Sequence, residues 1–167
     1  QDGYLIGWPS PDATVVLIPT TQVGTFQEGA LPIRTDAEVW AAALPAGVPG
    51  ELLVSGAHVL AAYVDNPEAT RESKIPRPDG TVWHRTGDVA QWDAQGRLWL
   101  LGRLKDRIDA IPTTDPPRHW WPYVLERQLD ALPNIARSVV LATPEGPCVL
   151  LVPMAKEAMN EQVLADS

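Results

Sequence analysis

The chain has 167 residues, 45% of them hydrophobic, and a formal net charge of −8. That length and apolar content suffice for one medium domain or two small ones with a packed core, and they exclude general disorder. The acidic balance disfavours a protein that grips nucleic acid or anionic lipid, although residues 97–107 concentrate Arg97, Arg103, Lys105 and Arg107.

The first half reads as β-structure. Residues 14–18 (TVVLI) are β-branched and closed by Pro19. Residues 51–55 (ELLVS) form a second strand, entered through Pro49-Gly50 and left at Gly56. Between them, residues 36–43 predict a short helix. Residues 66–73 predict another, with Asn66 as cap, Pro67 at the first helical position and Glu68 in the first turn. Residues 81–84 follow an Asp79-Gly80 turn. Residues 89–92 and 97–101 flank Asp93-Ala-Gln-Gly96, a hairpin signal with glycine where positive φ is needed. Short strands separated by turns predict an antiparallel β-barrel-like subdomain over residues 1–102.

The texture changes at residues 102–106. Residues 122–132 place apolar side chains at 124, 125, 129 and 132, the spacing of a helix ended by Pro133-Asn134. Residues 138–142 and 148–152 are apolar strands around a Pro-Glu-Gly turn, and residues 154–164 predict a closing helix. The fold class expected is therefore α+β, with residues 103–167 forming a small α+β C-terminal domain. The 17 prolines punctuate these short elements.

Cys148 is the single cysteine, so no internal disulfide can form, and its apolar run predicts a buried, inert thiol. No apolar stretch approaches the ~20 residues that span a bilayer. The residues from Gln1 to Tyr4 carry no basic, apolar leader. Together these predict a cytoplasmic protein. His58, His84 and His119 have no metal-ligand spacing, so no metal site is expected. No serine lies in a nucleophile elbow and no glycine-rich loop could cradle phosphate, so no catalytic residue is assigned.

Two short segments can carry chemistry. Thr86-Gly87-Asp88 is a hydroxyl, a flexible glycine and a carboxylate at a strand junction. A carboxylate accepts two hydrogen bonds side by side, which suits a vicinal diol such as a ribose; an ordinary turn capped by Asp88 is the alternative. Arg103 follows Gly102 at a strand end, where it can pair with Asp88 or reach a ribose or phosphate oxygen. Lys105-Asp106-Arg107 is a charged triplet of the kind found in solvated loops.

The order and spacing of several motifs say more than any one of them. These are GELLVSG at 50–56, Ala62-Tyr63 with Asn66-Pro67-Glu68-Ala69-Thr70, HRTGD at 84–88, DAQGRL at 93–98 and GRLKDRI at 102–108. The series resembles the superfamily of acyl-CoA synthetases, peptide-synthetase adenylation domains and luciferases. It resumes at residues 122–126, like the helix opening that superfamily's small C-terminal domain. Such enzymes activate an acid with ATP, releasing pyrophosphate. The resemblance implies that Asp88 holds the AMP ribose, that Arg103 adds a ribose or phosphate contact, and that Lys105 is the hinge. Thr86, Gly87 and Gly102 support these residues. ATP/AMP and Mg2+ are the implied cofactors. A carboxylic acid and the rest of a large adenylation domain are the implied partners, with no nucleic acid and no membrane span.

The superfamily's phosphate loop precedes the segment matched and its catalytic lysine follows it, and Lys156 does not stand in that motif. The resemblance thus predicts a fragment, inactive alone. Where the superfamily continues Lys-x-x-Gly, this chain has Asp109 and Pro112. Proline supplies neither positive φ nor a donor, which argues against thioester formation with CoA. Lys74-Ile75, VWHR at 82–85 and GRLW at 96–99 are most similar to the fatty-acyl branch, including the β-lactone synthetases of olefin biosynthesis. A non-catalytic binding or regulatory module on the same fold is the reading from a different class.

Overall fold

The computed structural model describes residues 3–20, 33–109, 119–143 and 146–154. The chain divides into two compact units, Gln1–Arg107 and Ile108–Ser167.

In the first unit, β1 (Tyr4–Gly7), β2 (Thr14–Ile18), β3 (Gly50–Ser55), β4 (Lys74–Pro76), β5 (Val82–Trp92) and β6 (Leu98–Arg103) form one antiparallel sheet. The strand order is β1-β6-β5-β3-β2, with β4 also paired to β5. The sheet is open, which corrects the barrel-like expectation. The reason lies in the alternation of β2 and β3. Successive side chains point to opposite faces of a sheet. Val16, Ile18 and Leu53 enter one buried cluster with Val39, Ile75 and Trp83, whereas Leu17 and Leu52 enter another with Ala90 and Leu98. Both faces of the central strands are thus covered by separate cores, and no single barrel interior exists to close around.

Two helices flank the sheet strands in sequence. In α1 (Asp36–Ala41), Thr35 and Glu38 form a reciprocal capping box, with Glu38 N–H donating to Thr35 Oγ1 at 3.3 Å and Thr35 N–H to Glu38 Oε2 at 2.9 Å. The helix ends two residues before the predicted 43. In α2 (Pro67–Ser73), Asn66 Oδ1 accepts from Ala69 N–H at 3.0 Å and Pro67 opens the helix, as the sequence predicts. The strands predicted separately at 81–84 and 89–92 are one eleven-residue strand, β5, so Thr86-Gly87-Asp88 lies inside a strand and not at a junction between two. Neither β1 nor β4 was foreseen.

In the second unit, β7 (Ile108–Asp109) pairs with β8 (His119–Trp120), and β9 (Ile135–Thr143) with β10 (Gly146–Pro153). Helix α3 (Pro122–Asp130) packs on β9. Ser138 Oγ donates to the Glu126 carbonyl at 3.1 Å, and Glu126 Oε1 accepts from Val140 N–H at 2.9 Å. Cys148 is only half-buried. The predicted closing helix lies, beyond Met154, outside the described residues, as do Pro112 and Lys156. Among the described residues no helix is long and apolar enough to cross a membrane.

Candidate functional site

Thr86, Gly87 and Asp88 form a bulge. In the β3–β5 ladder Glu51 pairs with Val89 and Leu53 with Arg85. Between those pairs β3 contributes Leu52 alone, while β5 contributes three residues. Extra residues in one strand bend it and re-aim its side chains. Gly87 supplies the backbone for this with φ of 70°. Thr86 ties the bulge to both sides: its Oγ1 donates to the Leu52 carbonyl at 2.9 Å and accepts from Asp88 N–H at 3.0 Å.

Across the other ladder Asp88 pairs with Arg103, and Gly102 with Val89. Arg103 Nη1 lies 3.0 Å from Asp88 Oδ1 and donates to the Thr86 carbonyl at 3.2 Å. The Asp88 side chain is 24% exposed and that of Arg103 57%. Asp88 Oδ2 accepts no hydrogen bond from the described residues. Four of the six sequence-selected residues therefore meet around one carboxylate: Thr86, Gly87, Asp88 and Arg103. Gly102 stands beside them on β6. Lys105 does not join them; it lies in a single 3-10 turn, Leu104–Asp106, with its side chain exposed.

Three features of this region were not read from the sequence. The first is a bidentate ion pair between Arg85 and Glu51, with Arg85 Nε 3.1 Å from Glu51 Oε1 and Nη2 bonded to Oε2. Glu51 is 3% exposed. A glutamate inside an otherwise apolar strand is the signal that could have revealed it. The second is Asp93, which accepts four hydrogen bonds, from the backbone N–H of Gln95 and Arg97 and from the side chains of Arg97 and Trp99. The third is the surroundings of His84. Its ring stands edge-on to Tyr63 at 6.4 Å, and among the described residues its buried Nδ1 has no hydrogen-bond partner. Burial, reinforced by the nearby Lys74 ammonium, lowers the pKa of His84 and favours its neutral form.

A half-exposed cation beside a partly exposed carboxylate can hold a polar, anionic ligand. Asp88 offers acceptors to a diol, and Arg103 offers donors to phosphate or hydroxyl oxygens. Among the described residues no group of three or more His, Cys, Asp or Glu could hold a metal ion.

Comparison with known proteins places this geometry in context. No protein-family model matches the chain. It is 37% identical over 98 residues to the acyl-CoA ligase SID4 of Ajellomyces capsulatus, covering 59% of the chain and 16% of that protein. It is 34% identical over 108 residues to surfactin synthase subunit 1 of Bacillus subtilis, covering 61% of the chain and 3% of that protein. Among solved structures, the amide bond synthetase McbA of Marinactinospora thermotolerans matches 97% of the chain with a TM-score of 0.67 at 22% identity, over 28% of its own length. The o-succinylbenzoate coenzyme A synthetase MenE of Bacillus subtilis, in complex with AMP, matches 91% with a TM-score of 0.62 at 20% identity, over 26% of its length. The structural likenesses show the fold. By sequence the chain is similar to peptide synthetases and acyl-CoA ligases over about 60% of its length, and by fold it is similar to adenylate-forming enzymes. It spans well under a third of the length of these relatives.

Proposed function

We propose that the chain is the ribose-binding and hinge portion of an ATP-dependent ligase that activates a carboxylic acid as its acyl-adenylate. The observation that carries this reading is Asp88 on its bulge, with Oδ1 bonded to Arg103, Oδ2 without a partner among the described residues, and both side chains reachable from solvent. A carboxylate so presented accepts from both hydroxyls of a ribose. The Arg103 guanidinium beside it offsets negative charge on a nucleotide. Thr86, Gly87 and Gly102 hold the backbone that presents the pair. Sequence relatives that include acyl-CoA ligases, and a structural neighbour solved with AMP, support the nucleotide and the reaction class. Mg2+ would supply phosphate neutralisation in such a reaction.

Lys105 is the hinge in this reading. It is exposed, in a single turn two residues before the end of the first unit at Arg107. A solvated turn absorbs a backbone twist without breaking a core. The activated acid is fatty or related, the branch to which residues 82–85 and 96–99 are most similar. Asp109 and Pro112 favour a second reading, a β-lactone synthetase that uses a β-hydroxy acid without CoA.

The test is ATP–pyrophosphate exchange by the protein from its complete reading frame, over a panel of fatty, β-hydroxy and amino acids, with CoA consumption followed alongside. Exchange should depend on an acid of the fatty series. Asp88→Ala should weaken it by about 1–3 kcal/mol, the loss of charge-assisted hydrogen bonds. Unchanged exchange in that variant would defeat the ribose assignment, and exchange with amino acids alone would defeat the substrate class.

A further inference from the structure

We propose that the buried Glu51–Arg85 ion pair is a positioning clamp that sets the angle at which the Thr86–Asp88 bulge presents its carboxylate to the nucleotide. The inference rests on the reading of Asp88 as a ribose-binding residue.

Arg85 is the last β5 residue before the bulge, paired with Leu53. Glu51 pairs with Val89, the first β5 residue after it. The ion pair therefore spans the bulge, joining the strand on one side of it to the partner of the strand on the other. Its geometry is two-pronged, with Nε and Nη2 of one guanidinium on the two oxygens of one carboxylate. Such a fork fixes direction as well as distance. The Glu51 side chain is 4% exposed and that of Arg85 15%, so solvent does little to loosen it.

Stability alone is a poor reason for this pair. The Coulombic gain of a buried ion pair is largely offset by desolvation, and apolar residues of similar volume serve a core equally well. The neighbours Leu53, Val89 and Ile18 are such residues, all fully buried. What apolar packing lacks is direction. Gly87, at φ of 70°, has no side chain to brace the bulge, and a Cβ built there would meet nothing within 4 Å. The bulge interior is therefore held by the Thr86 hydroxyl on one side, the Arg103 contacts on the other and the clamp across its ends. Arg103 is the exposed and exchangeable member of that set. Glu51–Arg85 is the buried one.

Neither clamp residue is expected to touch the ligand, so the effect must pass through Asp88. The experiment is a double-mutant cycle between Glu51→Gln and Asp88→Ala in the protein from its complete reading frame, reading AMP affinity by calorimetry and the KM for ATP and for the acid in pyrophosphate exchange. Glu51→Gln should weaken AMP binding and raise the KM for ATP by about tenfold, leave the KM for the acid unchanged, and add little once Asp88 is already alanine. Arg85→Lys keeps the charge but removes the fork, and it should give the same split with less loss of folding. It carries the test if Glu51→Gln fails to fold. A clamp variant that melts earlier yet keeps the wild-type KM for ATP overturns the positioning role and leaves the Asp88 assignment standing. Penalties that simply add in the double variant also overturn it. An Asp88→Ala protein that binds AMP as tightly as wild type overturns the underlying reading, and the clamp with it.

Discussion

Asp93 closes the turn between β5 and β6. Burial raises its pKa, but the donors Trp99, Arg97 and Gln95 outweigh burial and hold the carboxyl at about 2, below its ordinary 3.8. A carboxylate depressed in the folded state stabilises the fold above its unfolded pKa, and that stabilisation is lost as pH falls through the folded value. Asp93 should therefore contribute fully above about pH 4 and cease to contribute near pH 2. Asp93→Asn should melt earlier at pH 7 and show a shallower loss of stability between those values. Thermal melts across that range check this, and an unchanged acid profile would contradict it. The turn itself was legible, because Asp93-Ala-Gln-Gly96 is a local signal. The Trp99 indole on Asp93 was not, because it depends on how the next strand returns.

The same division appears among the elements. Strands β2 and β3 and helix α2 follow from alternation, turn residues and an Asn-Pro start, all carried within a few residues. The bulge in β5 does not. Three residues opposing one is a property of pairing between strands, so the motif was recognised while its shape was not. Two glycines separate backbone from packing effects here. At Gly87 a side chain has room but the wrong φ, so Gly87→Ala should cost about 1–2 kcal/mol. Gly87→Asn should cost less, because asparagine tolerates that region. At Gly50 a Cβ would lie 2.6 Å from the Ile18 carbonyl oxygen and 2.5 Å from Leu44 Cδ1. Gly50→Ala should cost about 1–3 kcal/mol through overpacking, with no relief from asparagine. Urea unfolding of the four variants distinguishes the two causes, and equal losses for alanine and asparagine at Gly87 would count against the conformational one.

For the whole molecule, the consequential division is that into Gln1–Arg107 and Ile108–Ser167. If Lys105 is a hinge, fixing its φ with proline should impede the step that follows adenylate formation more than adenylate formation itself. In the protein from its complete reading frame, Lys105→Pro should retain most pyrophosphate exchange while slowing formation of the final product. Loss of both in equal measure would remove the hinge assignment.

By itself the sequence determined the likeness to adenylate-forming enzymes, the mixture of helices with an antiparallel sheet, most of the described strands and helices, and the four residues that gather around the Asp88 carboxylate. These depend on local spacing and on side-chain chemistry that a short segment carries with it. Only the tertiary structure decided that the sheet stays open, because separate cores cover its two faces. It alone joined Asp88 to Arg103 across β5 and β6, and spanned the bulge with Glu51 and Arg85, which are 34 positions apart. The physical reason is common to all three. An ion pair or a buried face belongs to two strands at once, and its geometry is settled only when both are in register.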